Sequence, residues 1–189
     1  MRILLPIAML ACGGPDAPAP STLTVSEQPM TSAPATPAET PKVHPREAQQ
    51  AYWVKRTDAE LDSAFEQVCA ESKADGKPVL IAFSAEWCID CKRVYSLSKA
   101  EPLREELAQW HTLVVNPGQF DRHVPVLGAF GVSRLVTWVA TQPQDCRLPA
   151  PAWTRLRQGA FEPASGQPWS GEQLTAWLQE ARSTTEVQP

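Results

Sequence analysis

The sequence has few cysteines for its length, with five among 189 residues. Small secreted proteins that depend on disulfides carry cysteine at much higher density, whereas a chain of this length can be stabilised by its own core. The sequence therefore excludes a disulfide scaffold and predicts one domain of about 100 to 150 residues with an appendage. The five residues are Cys12, Cys69, Cys88, Cys91 and Cys146.

The sequence also lacks an excess of charge of one sign. Charged residues make up 20% of the chain, the formal net charge is -4, and acidic and basic residues are mixed rather than gathered into blocks. Proteins that bind nucleic acids carry concentrated positive charge on one face. The composition therefore excludes a nucleic-acid partner.

The first residues combine one positive charge, a short apolar run and a small residue before Cys12, which is the layout of an export signal. The run is far shorter than the roughly 20 apolar residues of a transmembrane helix. Residues 9–14, MLACGG, resemble a bacterial lipoprotein signal. The resemblance implies a signal peptide at 1–11, lipidation of Cys12 and a membrane anchor facing the periplasm of a bacterial cell envelope. A plain secretory signal, a misplaced start codon and a buried apolar segment remain open.

Residues 12–48 are dominated by proline, alanine, threonine and serine and contain scarcely any large apolar side chain. Such a segment cannot bury enough surface to offset the entropy of ordering itself. The sequence therefore predicts a disordered tether at 12–48. The tether either lets the domain reach partners away from its anchor or serves only as a spacer, and both alternatives remain open. It also predicts a folded domain at 49–182 and a disordered tail at 183–189.

Hydrophobic periodicity within 49–182 predicts an α/β domain, with a continuous apolar run at 78–83 as the central strand. The predicted order β-α-β-α-β-α-β-β-α calls for a mixed central sheet flanked by helices on both faces. The predicted strands are 51–55, 78–83, 112–116, 135–140 and 154–160. The predicted helices are 58–74, the segment after residue 88, a short one from 102 to 107, 120–130 and 171–181.

The pair Cys88-Ile89-Asp90-Cys91 lies where the central strand turns into a helix. The amino end of a helix stabilises a thiolate on the first cysteine, and the second lies one turn away, where it can close a disulfide. This arrangement predicts redox chemistry in which Cys88 is the nucleophile and Cys91 the resolving thiol. The pair itself carries the electrons, so no cofactor is expected.

Metal binding is a weaker interpretation of the same pair. Structural zinc needs four ligands, of which one CxxC supplies two, and His44, His111 and His123 have no ligand spacing toward the cysteines. No metal site is therefore predicted. A protein that handles copper at the two soft thiols and a non-catalytic interaction domain remain as alternative functions.

Residues 83–92, FSAEWCIDCK, resemble the active-site segment of the thioredoxin superfamily, and the resemblance extends over about 52–181. Within that superfamily, the helix after the pair, with Glu101-Pro102 at its end, is similar to the C-terminal thioredoxin-like domain of the DsbD family. The resemblance implies a thioredoxin-like fold and an envelope thiol-disulfide oxidoreductase, a reductase or electron relay. Its partners would be proteins with thiols or disulfides and an electron donor or acceptor that the sequence does not identify.

The segment that normally holds a cis-proline opposite the disulfide has Val136 at that place. A cis bond before a residue other than proline costs about 3 kcal/mol, so we expect the Leu135–Val136 peptide to be trans or strained. The resemblance still implies that Leu135 and Val136 pair with the backbone of a partner beside Cys88.

The buried acid that the superfamily carries on its central strand aligns with Ala82. Glu86 and Asp90 are then the nearest acidic residues that could assist proton movement. Lys92 places a positive charge near the thiolate, which the two carboxylates oppose. Trp87 borders the nucleophile and is expected to shield one side of it.

Cys69 and Cys146 remain once Cys12 and the active pair are set aside. An even remainder in an oxidising compartment is consistent with a disulfide. A structural disulfide and two separate thiols both remain open.

Overall fold

The computed structural model describes residues 50–163 and 166–184. The predicted signal peptide at 1–11, with lipidation at Cys12, and the tether at 12–48 lie outside these residues. Most of the predicted tail also lies outside them, although Ser183 still belongs to the last helix. Across the described ranges, no helix is long and apolar enough to cross a membrane.

The described residues form one four-stranded mixed sheet with the order β2-β1-β3-β4. Strand β1 pairs in parallel with β2 and antiparallel with β3, and β3 pairs antiparallel with β4. The strands are β1 (Val79–Phe83), β2 (His111–Val115), β3 (Thr137–Gln142) and β4 (Thr154–Ala160). The helices are α1 (Asp58–Asp75), α2 (Ile89–Leu97), α3 (Leu103–Leu107), α4 (Val124–Phe130) and α5 (Gly171–Ser183), with a 3-10 turn at Ala150–Ala152.

Helix α1 has sequence signals at both ends that match its observed bounds. Thr57 accepts a hydrogen bond from the Glu60 backbone, and the Glu60 carboxylate accepts one from the Thr57 backbone, which completes a capping box. Gly76 ends the helix in the left-handed conformation, and its N–H donates to the Ser72 carbonyl. The helix predicted at 58–74 is therefore confirmed.

Strand β1 is buried along its whole length, as its continuous apolar sequence predicts. On one face, the Phe83 ring lies 5.6 Å from the Phe130 ring of α4. On the other face, Trp138 of β3 pairs with Ala82, and its ring lies 6.1 Å from Trp177 of α5. Because paired residues of adjacent strands point to the same side, the prediction of helices on both faces is confirmed.

Gly159 of β4 is expected to tolerate no side chain. A Cβ atom there would lie 2.9 Å from Nε1 of Trp177, so Gly159→Ala should lower the free energy of unfolding by about 1–3 kcal/mol through overpacking. Gly128→Ala in α4 is the matched control, because its Cβ would meet nothing within 4 Å. The control should raise stability by about 0.5–1 kcal/mol. Urea unfolding of both variants measures the contrast, and equal effects would contradict this packing.

The strand predicted at 51–55 is wrong. Residues 50–52 are helical and 54–57 have no regular structure. The two aromatic side chains of this segment pack on a helix instead, since the Tyr52 and Trp53 rings lie 4.5 and 5.1 Å from the Tyr95 ring of α2. Trp53 Nε1 also donates to Ser84 Oγ at 2.8 Å.

Two other elements begin two or more residues later than predicted. The helix predicted at 120–130 begins only at Val124, because Phe120 and His123 have φ angles of 66° and 53°, which a right-handed helix does not allow. The strand predicted at 135–140 begins at Thr137 and runs to Gln142. Leu135 and Val136 therefore belong to the turn before β3.

Cys69 and Cys146 form a disulfide, with their Cα atoms 5.7 Å apart. Cys69 is fully buried in α1, and Cys146 is half-buried in the loop between β3 and β4. Since β3 is antiparallel to β1, this loop lies at the sheet edge where β1 begins. The disulfide therefore lies at the end of the sheet where β1 begins, opposite the end where β1 finishes.

Candidate active site

The active-site cysteines lie at the junction of β1 and α2. Cys88 is the N-cap residue of α2, and its Sγ accepts a hydrogen bond from the Cys91 backbone N–H at 3.2 Å. The Cys88 carbonyl accepts the first helical hydrogen bond, from Lys92 N–H. Cys88 and Cys91 are joined as a disulfide, with their Cα atoms 5.2 Å apart.

The two cysteines differ in exposure. Cys88 is 8% exposed and Cys91 only 1%. The residues beside Cys88 are much more accessible, with Ile89 at 75% and Trp87 at 41%. Cys88 is therefore the member of the pair that a partner can approach, at a surface made of apolar side chains.

Trp87 is held by the loop between β2 and α4, residues 116–123, which we call the β2–α4 loop. Its indole Nε1 donates a hydrogen bond of 2.7 Å to the Gly118 carbonyl. The ring also lies edge-on to Phe120, with centroids 6.4 Å apart. The orientation of Trp87 thus depends on a loop distant in sequence, and its predicted shielding of the nucleophile stays a prediction.

Glu86 takes part in a network that supports this loop. Its Oε1 lies 2.9 Å from Lys55 Nζ, and its Oε2 accepts a hydrogen bond of 3.0 Å from Asn116 Nδ2. Asn116 is buried and in turn accepts a hydrogen bond from Gly118 N–H at 3.1 Å. The network therefore connects Glu86, which precedes Trp87 in the sequence, with Gly118, whose carbonyl accepts the hydrogen bond from Trp87.

The same contacts keep Glu86 ionised. Partial burial raises the pKa of Glu86, but the hydrogen bonds from Lys55 and Asn116 outweigh that effect and hold this pKa below its usual range. A carboxylate with a lowered pKa is a poor proton donor at neutral pH. These contacts give Glu86 a structural role, and its part in proton transfer stays a prediction.

The remaining charged candidates lie on the surface of α2. Asp90 pairs with Arg93 at 2.9 Å, and Lys92 is exposed. Ala82, which takes the place of the superfamily's acid, is buried in β1. The ion pair of Asp90 balances its charge locally, so the thiolate would be stabilised chiefly by the helix terminus and the Cys91 N–H.

The Leu135–Val136 peptide, which we expect to be trans or strained, is cis. Burial and hydrogen bonds fix the backbone around it. Both side chains are buried, the Val136 carbonyl accepts from Phe161 N–H at 2.7 Å, and Thr137 Oγ1 donates to the Arg134 carbonyl at 2.9 Å. Backbone pairing of this segment with a partner stays a prediction.

The histidines that the structure describes are engaged away from the cysteines. His123 Nδ1 lies 2.6 Å from Asp58 Oδ1, and His111 Nε2 lies 2.8 Å from Asp75 Oδ1. Within residues 50–163 and 166–184, no group of three or more histidine, cysteine or acidic side chains could hold a metal ion.

The β2–α4 loop is the part of the site that the sequence analysis missed. The helix predicted at 120–130 includes residues 120–123, although Pro117-Gly118 just before them is a loop signal. The Pro117-Gly118 signal on its own predicts a loop at Phe120. Its contact with Trp87 depends on the fold and had no sequence signal.

No family model matches the chain, and no curated protein matches it. Among solved structures, the chain is similar to a disulphide isomerase from Xylella fastidiosa Temecula1. The TM-score is 0.55 at 18% identity, over 69% of this chain and 95% of that one. It is also similar to the oxidised C-terminal domain of DsbD from Neisseria meningitidis, with a TM-score of 0.48 at 16% identity, over 68% of this chain and 100% of that one. A third similar structure is a DsbH oxidoreductase, with a TM-score of 0.42 at 15% identity, over 80% of this chain and 96% of that one.

The similarity to the Xylella fastidiosa structure and the mixed sheet order together show a thioredoxin-like fold. At this level of identity, the similarity establishes the fold alone. The chemistry must be argued from the cysteine pair and its surroundings.

Proposed function

We propose that this chain, which has a thioredoxin-like fold, is a thiol-disulfide oxidoreductase that exchanges disulfides with protein partners through Cys88 and Cys91. The observation that carries the proposal is a bonded cysteine pair at the amino end of a helix, in which the first cysteine, 8% exposed, is more accessible than the second, 1% exposed. The name of the similar Xylella fastidiosa protein, a disulphide isomerase, supports the same class of reaction.

The first step of the proposed reaction starts from the reduced pair. The Cys88 thiolate attacks one sulfur of a partner disulfide, forms a mixed disulfide with it and displaces the second partner sulfur as a thiolate, which takes up a proton. The Cys91 N–H, which donates to Cys88 Sγ at 3.2 Å, stabilises the attacking thiolate. The amino end of α2 adds to that stabilisation.

In the second step, the Cys91 thiol loses its proton and attacks Cys88 Sγ. The Cys88–Cys91 disulfide forms, and the partner's remaining sulfur leaves and is protonated. Two electrons and two protons have then passed from the cysteine pair to the partner. A dithiol protein must supply the next two electrons, and the same two steps in reverse would oxidise a partner dithiol.

We place this activity in the bacterial cell envelope, on a lipid anchor at Cys12 that faces the periplasm. The export signal read from residues 1–12 and the disulfide between Cys69 and Cys146 both support an oxidising compartment. Metabolic labelling with a fatty-acid analogue tests the anchor, because Cys12→Ser should abolish labelling whereas Cys69→Ser should not. Equal labelling of the two variants would refute lipidation at Cys12.

Trapping with Cys91→Ser tests the proposed chemistry. Without the resolving thiol, Cys88 should accumulate as a mixed disulfide with a protein such as insulin, visible as a band of higher mass that dithiothreitol removes. Cys88→Ser/Cys91→Ser is the matched control and should give no such band. Absence of the adduct, together with stoichiometric copper or zinc on the wild-type chain, would refute the proposal in favour of metal handling.

A further inference from the structure

An exposed apolar patch adjoins Cys88 and includes a residue far away in sequence. Trp87 and Ile89 flank the cysteine, and Phe120, 36% exposed, extends the patch through its contact with Trp87. Any partner that reaches Cys88 must cover part of this surface, because Trp87 and Ile89 are its immediate neighbours. Burial of apolar side chains against it would contribute to binding.

The loop backbone presents Phe120 at a conformational cost. Its φ of 66° lies in the left-handed region, which is unfavourable for a bulky side chain. Several hydrogen bonds hold the β2–α4 loop in this shape, including Arg122 N–H to the Pro117 carbonyl at 3.1 Å and Gln119 N–H to Asp121 Oδ1 at 2.8 Å. Strained residues of this kind persist where the surrounding structure over-determines them, often at binding sites.

The two carboxylates close to the pair do not offer a competing basis for recognition, because each already has a cationic partner. Glu86 is paired with Lys55, and Asp90 with Arg93. A cationic partner group would have to displace one of these ion pairs, whereas an apolar side chain would only displace water. The surroundings of Cys88 therefore favour an apolar contact.

We propose that Phe120 and Trp87 form an aromatic platform that selects an extended partner segment with an apolar side chain next to its reactive cysteine. Trp87 provides the part nearest to Cys88, and Phe120 widens the platform and determines specificity. The hydrogen bond from Trp87 to Gly118 keeps the two rings together. This inference rests on the proposed function and adds a substrate class to it.

Two peptide disulfides that differ at one position test the platform. Each is a short peptide whose single cysteine is joined to glutathione, with either leucine or serine as the next residue. The measured quantity is the second-order rate constant at which each peptide oxidises the reduced chain. The wild type should favour the leucine peptide on the order of tenfold.

Phe120→Gly should bring the ratio of the two rate constants close to one. Glycine adopts positive φ freely, so this variant removes the ring and allows the loop backbone to keep its shape. Phe120→Leu, which retains an apolar side chain, should give an intermediate ratio. Leu148→Ser is the matched control, since it removes an exposed apolar side chain from the loop between β3 and β4, and it should retain the wild-type ratio.

Each outcome bears on one proposal or the other. A wild-type ratio near one, or a tenfold ratio that survives Phe120→Gly, would overturn the platform and leave the exchange chemistry intact. Failure of the wild type to react with either peptide would overturn the proposed function itself. Wild-type dimers in sedimentation that Phe120→Gly dissociates would assign the patch to self-association instead.

Discussion

Replacement of Cys69 and Cys146 together by alanine is expected to lower the free energy of unfolding by about 4 kcal/mol. The two residues are 77 positions apart, so their bond restricts a long loop of the unfolded chain. For a domain of this size, the loss corresponds to a fall in Tm of roughly 15 °C. Thermal unfolding followed by circular dichroism, without reductant, measures it.

Cys88→Ala/Cys91→Ala is the control for this stability prediction. These residues are separated by only 3 positions, so their bond restricts the unfolded chain far less, and the expected loss is about 2 kcal/mol or below. Dithiothreitol reduces both bonds, so it should lower the Tm of the wild type by more than that of the Cys69→Ala/Cys146→Ala variant, which has only the Cys88–Cys91 bond to lose. A loss of equal size in the two double variants would contradict a structural role for the distant bond.

Cys88→Ser is expected to lower the rate constant of disulfide exchange by about three orders of magnitude or more, because a serine hydroxyl is not ionised at neutral pH and cannot replace a thiolate. Loss of the thiol also prevents the mixed disulfide from forming at all. The second-order rate constant with a peptide disulfide, measured for the variant and the wild type at equal concentration, gives the ratio.

The Cys69→Ala/Cys146→Ala variant provides the matched comparison for activity. Its changed residues lie at the sheet edge opposite the reactive pair, so folded molecules should exchange disulfides at the wild-type rate. The rate should be measured at a temperature well below the variant's Tm. A rate that falls as far as in Cys88→Ser would mean that the distant bond takes part in the chemistry, and it would contradict the separation of the two roles.

The sequence was sufficient to predict those parts of the fold that depend on local patterns. The apolar run of β1, the cap signals of α1 and the position of Cys88 at a strand-to-helix junction each rest on neighbouring residues, and the structure confirms these elements. A buried strand covered on both faces also implied helices on both sides of the sheet. These features determine where the reactive pair lies.

The surroundings of the pair could not be predicted, because they depend on contacts between residues far apart in sequence. Trp53 looked like a strand residue but packs against Tyr95, some 40 positions later. Asn116 and Phe120 reach Trp87 and its neighbour only because β1 and β2 run in parallel and end at the same edge. A left-handed φ at a phenylalanine has no propensity signal, so the local sequence predicts a helix where the structure has a loop.

The closeness of Cys91 to Cys88, whose Cα atoms lie 5.2 Å apart, determines how long a partner would remain attached. In the proposed reaction, the bond to the partner is broken by a sulfur of the same molecule, so release is a unimolecular event. The residence time of the complex is then a property of this domain and is independent of the concentration of free thiols around it.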